Sequence, residues 1–159
     1  MNKDAIKAFS VRVTQASKSE LTVILYEMIL TEIKEAKEAF AKEDMAVFDK
    51  ELKFAQKYVT ELQATLDYRY SISYDLLSLY LFVNKKIIEA IVRRIPDSLD
   101  SAESIMKKLL VGFEGVSKVD QSGPMMRNTQ QVYAGLTYGR GYLNETNIDP
   151  SSRNRGFIA

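Results

Sequence analysis

The sequence predicts an all-α protein: an antiparallel four-helix bundle with a short N-terminal helix or arm and a largely irregular C-terminal tail. Three observations carry that expectation. The first 95 residues contain neither glycine nor proline. Within them, apolar residues recur at steps of three and four, which gathers them on one face of a 3.6-residue helix. All seven glycines lie at or after Gly112, so the chain-breaking residues collect at one end. The chain therefore divides into a helical body, residues 1–119, and a Gly/Pro/Asn-rich extension, residues 120–159. That extension holds five of the glycines and two of the three prolines. Such a composition suits a loop or an unfolded extension better than a second core.

The elements follow in order. Residues around Ala5 to Val13 add a short helix or an extended arm. Ser17 and Glu20 form a capping-box pair, in which each side chain bonds the other residue's backbone N–H and starts a helix. Leu21, Leu25, Ile29, Ile33, Ala36 and Phe40 then make one apolar stripe. Asp44 caps the next helix, whose stripe is Phe48, Leu52, Ala55, Val59, Leu62 and Leu66. The segment "DYRYS" is the turn out of it. A third stripe is Ile72, Leu76, Leu79, Val83, Ile87 and Ala90, and Pro96 ends that helix because it can neither donate a hydrogen bond nor continue the spiral. Asp100 and Glu103 open a fourth helix, which carries Ala102, Ile105, Leu109, Phe113 and Val116. Four amphipathic helices with short connections imply an antiparallel bundle. The third also carries Leu77, Leu81, Ile88, Ile91 and Val92, so apolar side chains cover more than half of its circumference, and a central place in the bundle is expected.

Composition narrows function. The chain has 159 residues, enough for one domain with a hydrophobic core, and 46% of them are hydrophobic against 27% charged. Net charge is +1, from 22 basic and 21 acidic residues, so no overall field favours nucleic acid or an anionic membrane. No leader pattern and no apolar run of about 18 residues is present, so a cytoplasmic protein without membrane insertion is expected. There is no cysteine and no histidine. That removes disulfides, thiolates and zinc–thiolate sites, and the side chain most used as a base near neutral pH. A di-iron bundle needs a Glu-x-x-His pair, which is impossible here. "GRG" at 139–141 lacks the Lys-Ser/Thr of a phosphate loop. Neither catalytic, cofactor-binding nor metal-ligating residues are expected, and the chain reads as a binding module.

Phe82 is the anomaly. It falls among Asp75, Ser78, Lys85, Lys86, Glu89 and Arg93, on the face that a bundle leaves to water. Two readings stand side by side: the ring is covered by a neighbouring helix or by the extension, or it lines a groove for a partner. The basic residues near it are interrupted by Glu89, which favours a solvated face over a phosphate site.

Two blocks resemble a known family. "VTQASKSELTVILYEMIL", Val13 to Leu30, is similar to the N-terminal signature V-x-T-A-S-P-x-x-L-x-x-x-L-Y-D-G-A-I of the flagellin-specific export chaperones, the FliS family. "ELQATLDYRYSISYDLLSLYLFVNKKIIEA" resembles that family's L-x-x-x-L-D, L-x-x-L-Y-x-Y and N-(R/K)-(R/K)-L blocks, with Phe82 on the aromatic after Leu79-Tyr80. The likeness spans roughly residues 4–119. The chain departs from the pattern at Gln15, at Lys18 in place of the proline, and at Glu27-Met28 in place of Asp-Gly.

The resemblance implies a cytosolic chaperone that holds the disordered C-terminal segment of flagellin in an apolar groove. The client folds into helices as it binds, is kept from premature polymerisation, and is delivered to the flagellar type III export gate. No cofactor is implied. The residues expected to meet the client are Phe9, Val11 and Val13 on an arm over the groove; Leu25, Tyr26 and Ile29 on the first long helix; and Leu66, Tyr70, Leu79, Tyr80, Phe82 and Val83 around the third. Leu25, Ile29, Leu66, Leu79 and Val83 lie on bundle stripes, so core packing competes with that role. Tyr26, Tyr70 and Phe82 are the better interface residues, because aromatic rings supply large contact area and a phenol tip tolerates water. In the extension, Val132, Tyr133, Leu136 and Tyr138 read either as a docking element or as incidental. Rival readings are a homo-oligomeric structural bundle and an adaptor for another flagellar factor.

Overall fold

The computed structural model describes residues 3–126. It has five helices: α1 (Lys3–Gln15), α2 (Lys18–Ala41), α3 (Met45–Ala64), α4 (Ile72–Arg93) and α5 (Leu99–Val119). The chain divides into a unit Met1–Met125, which holds all five, and a second unit Met126–Ala159. Val132, Tyr133, Leu136 and Tyr138 lie outside the described residues. Among those described, the protein is all-α.

The helix starts follow from local chemistry. The Ser17–Glu20 capping box forms in full: Ser17 N–H donates to Glu20 Oε2 at 2.8 Å, and Glu20 N–H to Ser17 Oγ at 3.3 Å. Lys18 is then the first helical residue, the position where the family has its proline and where a proline's missing N–H costs nothing. Asp44 caps α3 by accepting from the Val47 N–H at 3.1 Å. α4 ends where Arg94 turns left-handed (φ 56°) just before Pro96.

The four long helices form an antiparallel ring in which α2 packs against α3 and α5, and α4 packs against the same two from the opposite side. The core is one cluster built around Ile29, Ile33, Phe48, Leu52, Val59, Val83, Ile87 and Met106. Two expectations need correcting. α4 is not the central helix: ten of α2's residues are buried against six of α4's, and α1 rests on α2 as well. The broad apolar arc of α4 therefore exceeds what its neighbours cover. The α4 stripe also sits differently, because Tyr80 takes the buried place expected of Leu79, while Leu79 and Ile72 are exposed. The buried set Ser73, Leu76, Tyr80, Val83, Ile87 and Ala90 keeps four members of the predicted stripe and moves by one residue at two positions, from Ile72 to Ser73 and from Leu79 to Tyr80.

One polar pair lies inside. Glu32 of α2 and Glu51 of α3 are both buried and hydrogen-bonded to each other. Burial, then the bond to Glu51, raises the Glu32 carboxyl to about 8. Burial opposes ionisation at Glu51 too, but the proton donated by Glu32 holds Glu51 below its ordinary value. Burial thus favours the neutral form at Glu32 more than at Glu51.

Candidate functional site

At the end of the bundle where α2 and α4 begin and α5 finishes, a mostly apolar cavity of about 480 Å³ opens to the surface. Its apolar lining is Leu66, Tyr70, Ile72, Leu76, Tyr80, Phe113 and Val116, and Lys18, Asp67 and Asp120 stand at its polar rim. Antiparallel topology explains the convergence: each helix brings the end of its own stripe here, where the ring of four has no fifth element to close it.

The floor is rigid. Tyr26 of α2 and Tyr80 of α4 share a 2.5 Å hydroxyl hydrogen bond, and Phe113 meets the Tyr26 ring edge-on at 5.4 Å. Burial, reinforced by the adjacent Tyr80, raises the Tyr26 phenol far above its ordinary value, and burial also raises Tyr80. Both stay neutral, and the pair ties the α2 and α4 stripes together across the core.

The rim is polar and ordered. In the α3–α4 turn, Asp67 takes bonds from the Arg69 side chain and from the Arg69 N–H (3.1 Å), which hold its carboxyl below the usual range. Ser73 Oγ donates to the Asp67 carbonyl at 2.6 Å and anchors the start of α4. Across the mouth, Asp120 accepts from Ser122 N–H (2.9 Å) and Oγ (2.5 Å) and from the Ser19 hydroxyl. Those bonds lower its carboxyl, which sits against the first turn of α2, where a helix favours negative charge. Met125 N–H then donates to the Ala16 carbonyl at 3.0 Å, so residues 120–125 form a strap from α5 to the α1–α2 junction.

The predicted contact residues separate into groups. Leu66, Tyr70 and Tyr80 line the cavity, Tyr70 as an exposed wall and Tyr80 as floor. Leu25, Tyr26, Ile29 and Val83 are core, and Tyr26 is wholly enclosed, so an exposed interface role for it does not hold in this fold. Phe82 is 39% exposed on the flank of α4, with the Lys86 ammonium 5.6 Å from its ring centre, and Leu79 is similarly half-open. Neither lines the cavity. Phe9, Val11 and Val13 lie on α1, a regular helix resting on α2, and do not line the cavity either. Glu27, one of the departures from the family pattern, pairs with Arg12 and so pins α1 to α2.

Ile72, Phe113, Val116 and Asp120 are site residues that the sequence alone does not single out. By periodicity the first three are ordinary stripe members. What marks them is their place at the ends of stripes that antiparallel packing gathers together. Asp120 carries no signal beyond an Asp-x-Ser turn at a helix end.

A profile of the family described as flagellar protein FliS matches residues 1–120 of the chain. The chain belongs to the FliS family. No individual curated protein matches it. As a FliS-family member it is a flagellar export chaperone and not an enzyme. Among the described residues, no helix is long and apolar enough to cross a membrane.

Proposed function

We propose that this chaperone takes the C-terminal segment of flagellin as its client and seats apolar client side chains in the cavity between the starts of α2 and α4 and the end of α5. The observation that carries the reading is the cavity itself: an open, mostly apolar hollow on a rigid aromatic floor, with ordered polar groups at its rim. It lacks the histidine or cysteine that covalent chemistry would favour, and its depth suits one or two bulky aliphatic or aromatic side chains. A client disordered when free gains apolar burial here, while the ordering of its backbone moderates the net affinity. Holding that segment in the cytoplasm until the export gate receives it keeps flagellin from polymerising early.

Titration with a peptide of the host flagellin C-terminus, followed by calorimetry and circular dichroism, tests the reading. Binding at about micromolar affinity or better with helix gain is expected. Ile72→Ser and Val116→Ser remove exposed cavity walls and should weaken binding about tenfold or more with little change in melting temperature. No binding by the wild-type protein, or equal binding by both variants, refutes the assignment. Phe82→Ala, outside the cavity, should have the smaller effect.

A further inference from the structure

Among the described residues the cavity has no cover. Tyr70, Ile72 and Val116 are each more than half exposed, and α1 contributes nothing to the lining. Apolar side chains that enter such a hollow leave water at a gain.

The strap from α5 runs along the edge of this hollow. Asp120 and Ser122 belong to its lining. Met125, held to the Ala16 carbonyl at 3.0 Å, borders an adjoining recess, and the two hollows share Lys18, Thr65, Leu66 and Asp67 as walls. Met125 and Met126 are exposed. The described chain therefore ends beside the cavity mouth, with residues 127–159 still to follow.

The first large apolar side chains beyond Met126 are Val132, Tyr133, Leu136 and Tyr138, in the stretch "VYAGLTY". No charged residue falls between Arg127 and Arg140. These positions lie outside the described residues. The chain from Met125 to Val132 spans at most about 24 Å, more than the width of a hollow that admits one or two side chains.

We propose that residues 132–138 are a second ligand of the cavity: this apolar segment of the same chain seats there when no client is present and yields to the client. This rests on the reading of the cavity as the client site. The tether decides the occupant. A link of this length holds the segment at an effective concentration on the order of 1 mM. With an intrinsic Kd of only ~0.1 mM, the segment then fills the cavity about nine-tenths of the time. A second copy, without the tether, needs a far tighter contact to compete. The client meets an apparent affinity about tenfold weaker, and the same threshold turns away apolar segments that bind less well than it does.

Two experiments on the full chain test this. In the first, Tyr133→Ser/Leu136→Ser is titrated with the flagellin C-terminal peptide and should bind it about tenfold more tightly than wild type. The second uses the absence of native cysteine. Ile72→Cys/Leu136→Cys should crosslink within one chain under mild oxidation, and excess flagellin peptide should suppress the crosslink. Ser101→Cys/Leu136→Cys, at the far end of α5, should not crosslink. Equal affinity of wild type and the serine variant for the flagellin peptide overturns the proposal and leaves the cavity reading standing. If the peptide binds neither, the client reading falls, and the crosslink alone decides whether the segment docks. A crosslink found only between two chains makes the occupant a second copy, which also overturns the proposal.

Discussion

α2 and α4 run parallel on opposite sides of the same ring, have similar lengths and are both rich in aliphatic residues, yet they differ in how much of themselves they hide. α2 is enclosed by α1, α3 and α5, and its polar ends are satisfied by the capping box and by Lys37, which bridges Asp100 and Glu103 of α5 at 2.6 Å each. α4 buries one stripe and leaves Tyr74, Leu81, Ile88 and Val92 to the solvent. A bundle of four can cover only one stripe per helix. A helix with two stripes therefore has apolar surface left over, and that surplus is what a client-binding protein needs. On the proposed reading of the cavity, α2 chiefly carries stability and α4 carries recognition.

The widest separation should appear on truncation. Ile29→Ala on α2 removes a fully buried side chain and should destabilise the protein by about 2–5 kcal/mol. Leu81→Ser on α4 should change stability by less than about 0.5 kcal/mol. Chemical denaturation of the two single variants measures the contrast, and equal losses would erase the division of labour between the helices.

A smaller effect probes the buried acid pair on the α2–α3 side. Because the Glu32 carboxyl is raised to about 8 in the folded protein, the native state binds more protons than the unfolded chain from roughly pH 4.5 to 8. Stability contributed by this group is complete below that window and is lost as pH rises through it. Glu32→Gln keeps a donor toward Glu51 without the titration. It should flatten the fall in melting temperature between about pH 5 and 8 and stabilise the protein by about 1–2 kcal/mol at the upper end. A pH slope identical to wild type would show that Glu32 does not carry the proton.

The smallest expected change joins the two helices. Tyr80→Phe leaves the Tyr26 hydroxyl enclosed without its partner and should cost about 1 kcal/mol, while client affinity falls only slightly because the ring stays in the cavity floor. Thermal melts and the peptide titration read the two quantities separately.

How much of this is legible in the sequence depends on the residue. Period and caps place the four long helices, whereas the first segment reads equally as a helix or an arm: the Ser17–Glu20 box, the Asp44 cap and the stop at Pro96 are local chemistry, and local chemistry is written in neighbouring residues. The assignment of faces is less secure. Leu79 and Tyr80 are adjacent, about 100° apart on the helix, and both apolar enough for the core. Only the packing of α3 and α5 decides between them, and it selects the tyrosine, whose hydroxyl finds Tyr26 54 residues away. The breadth of α4's apolar arc is visible in the sequence, but its meaning inverts. Excess apolar surface reads as a central position until the ring topology shows that no fifth helix covers it. Three of the site residues that sequence reasoning passes over, Ile72, Phe113 and Val116, come together only through tertiary structure.

The pin between Arg12 and Glu27 has a consequence for the opposite side of the molecule. Val23 and Ile24 are buried yet lie outside the main core cluster; together with Arg12, Gln15 and Ala16 of the α1–α2 junction they line a shallow recess. Among the described residues this is the one ionic link between α1 and α2, and its partners are partly exposed, so salt screens the charge pair that holds α1 as a flap on α2. Raised ionic strength alone should loosen this flap and wet a second greasy spot, at the back of the helix best protected everywhere else.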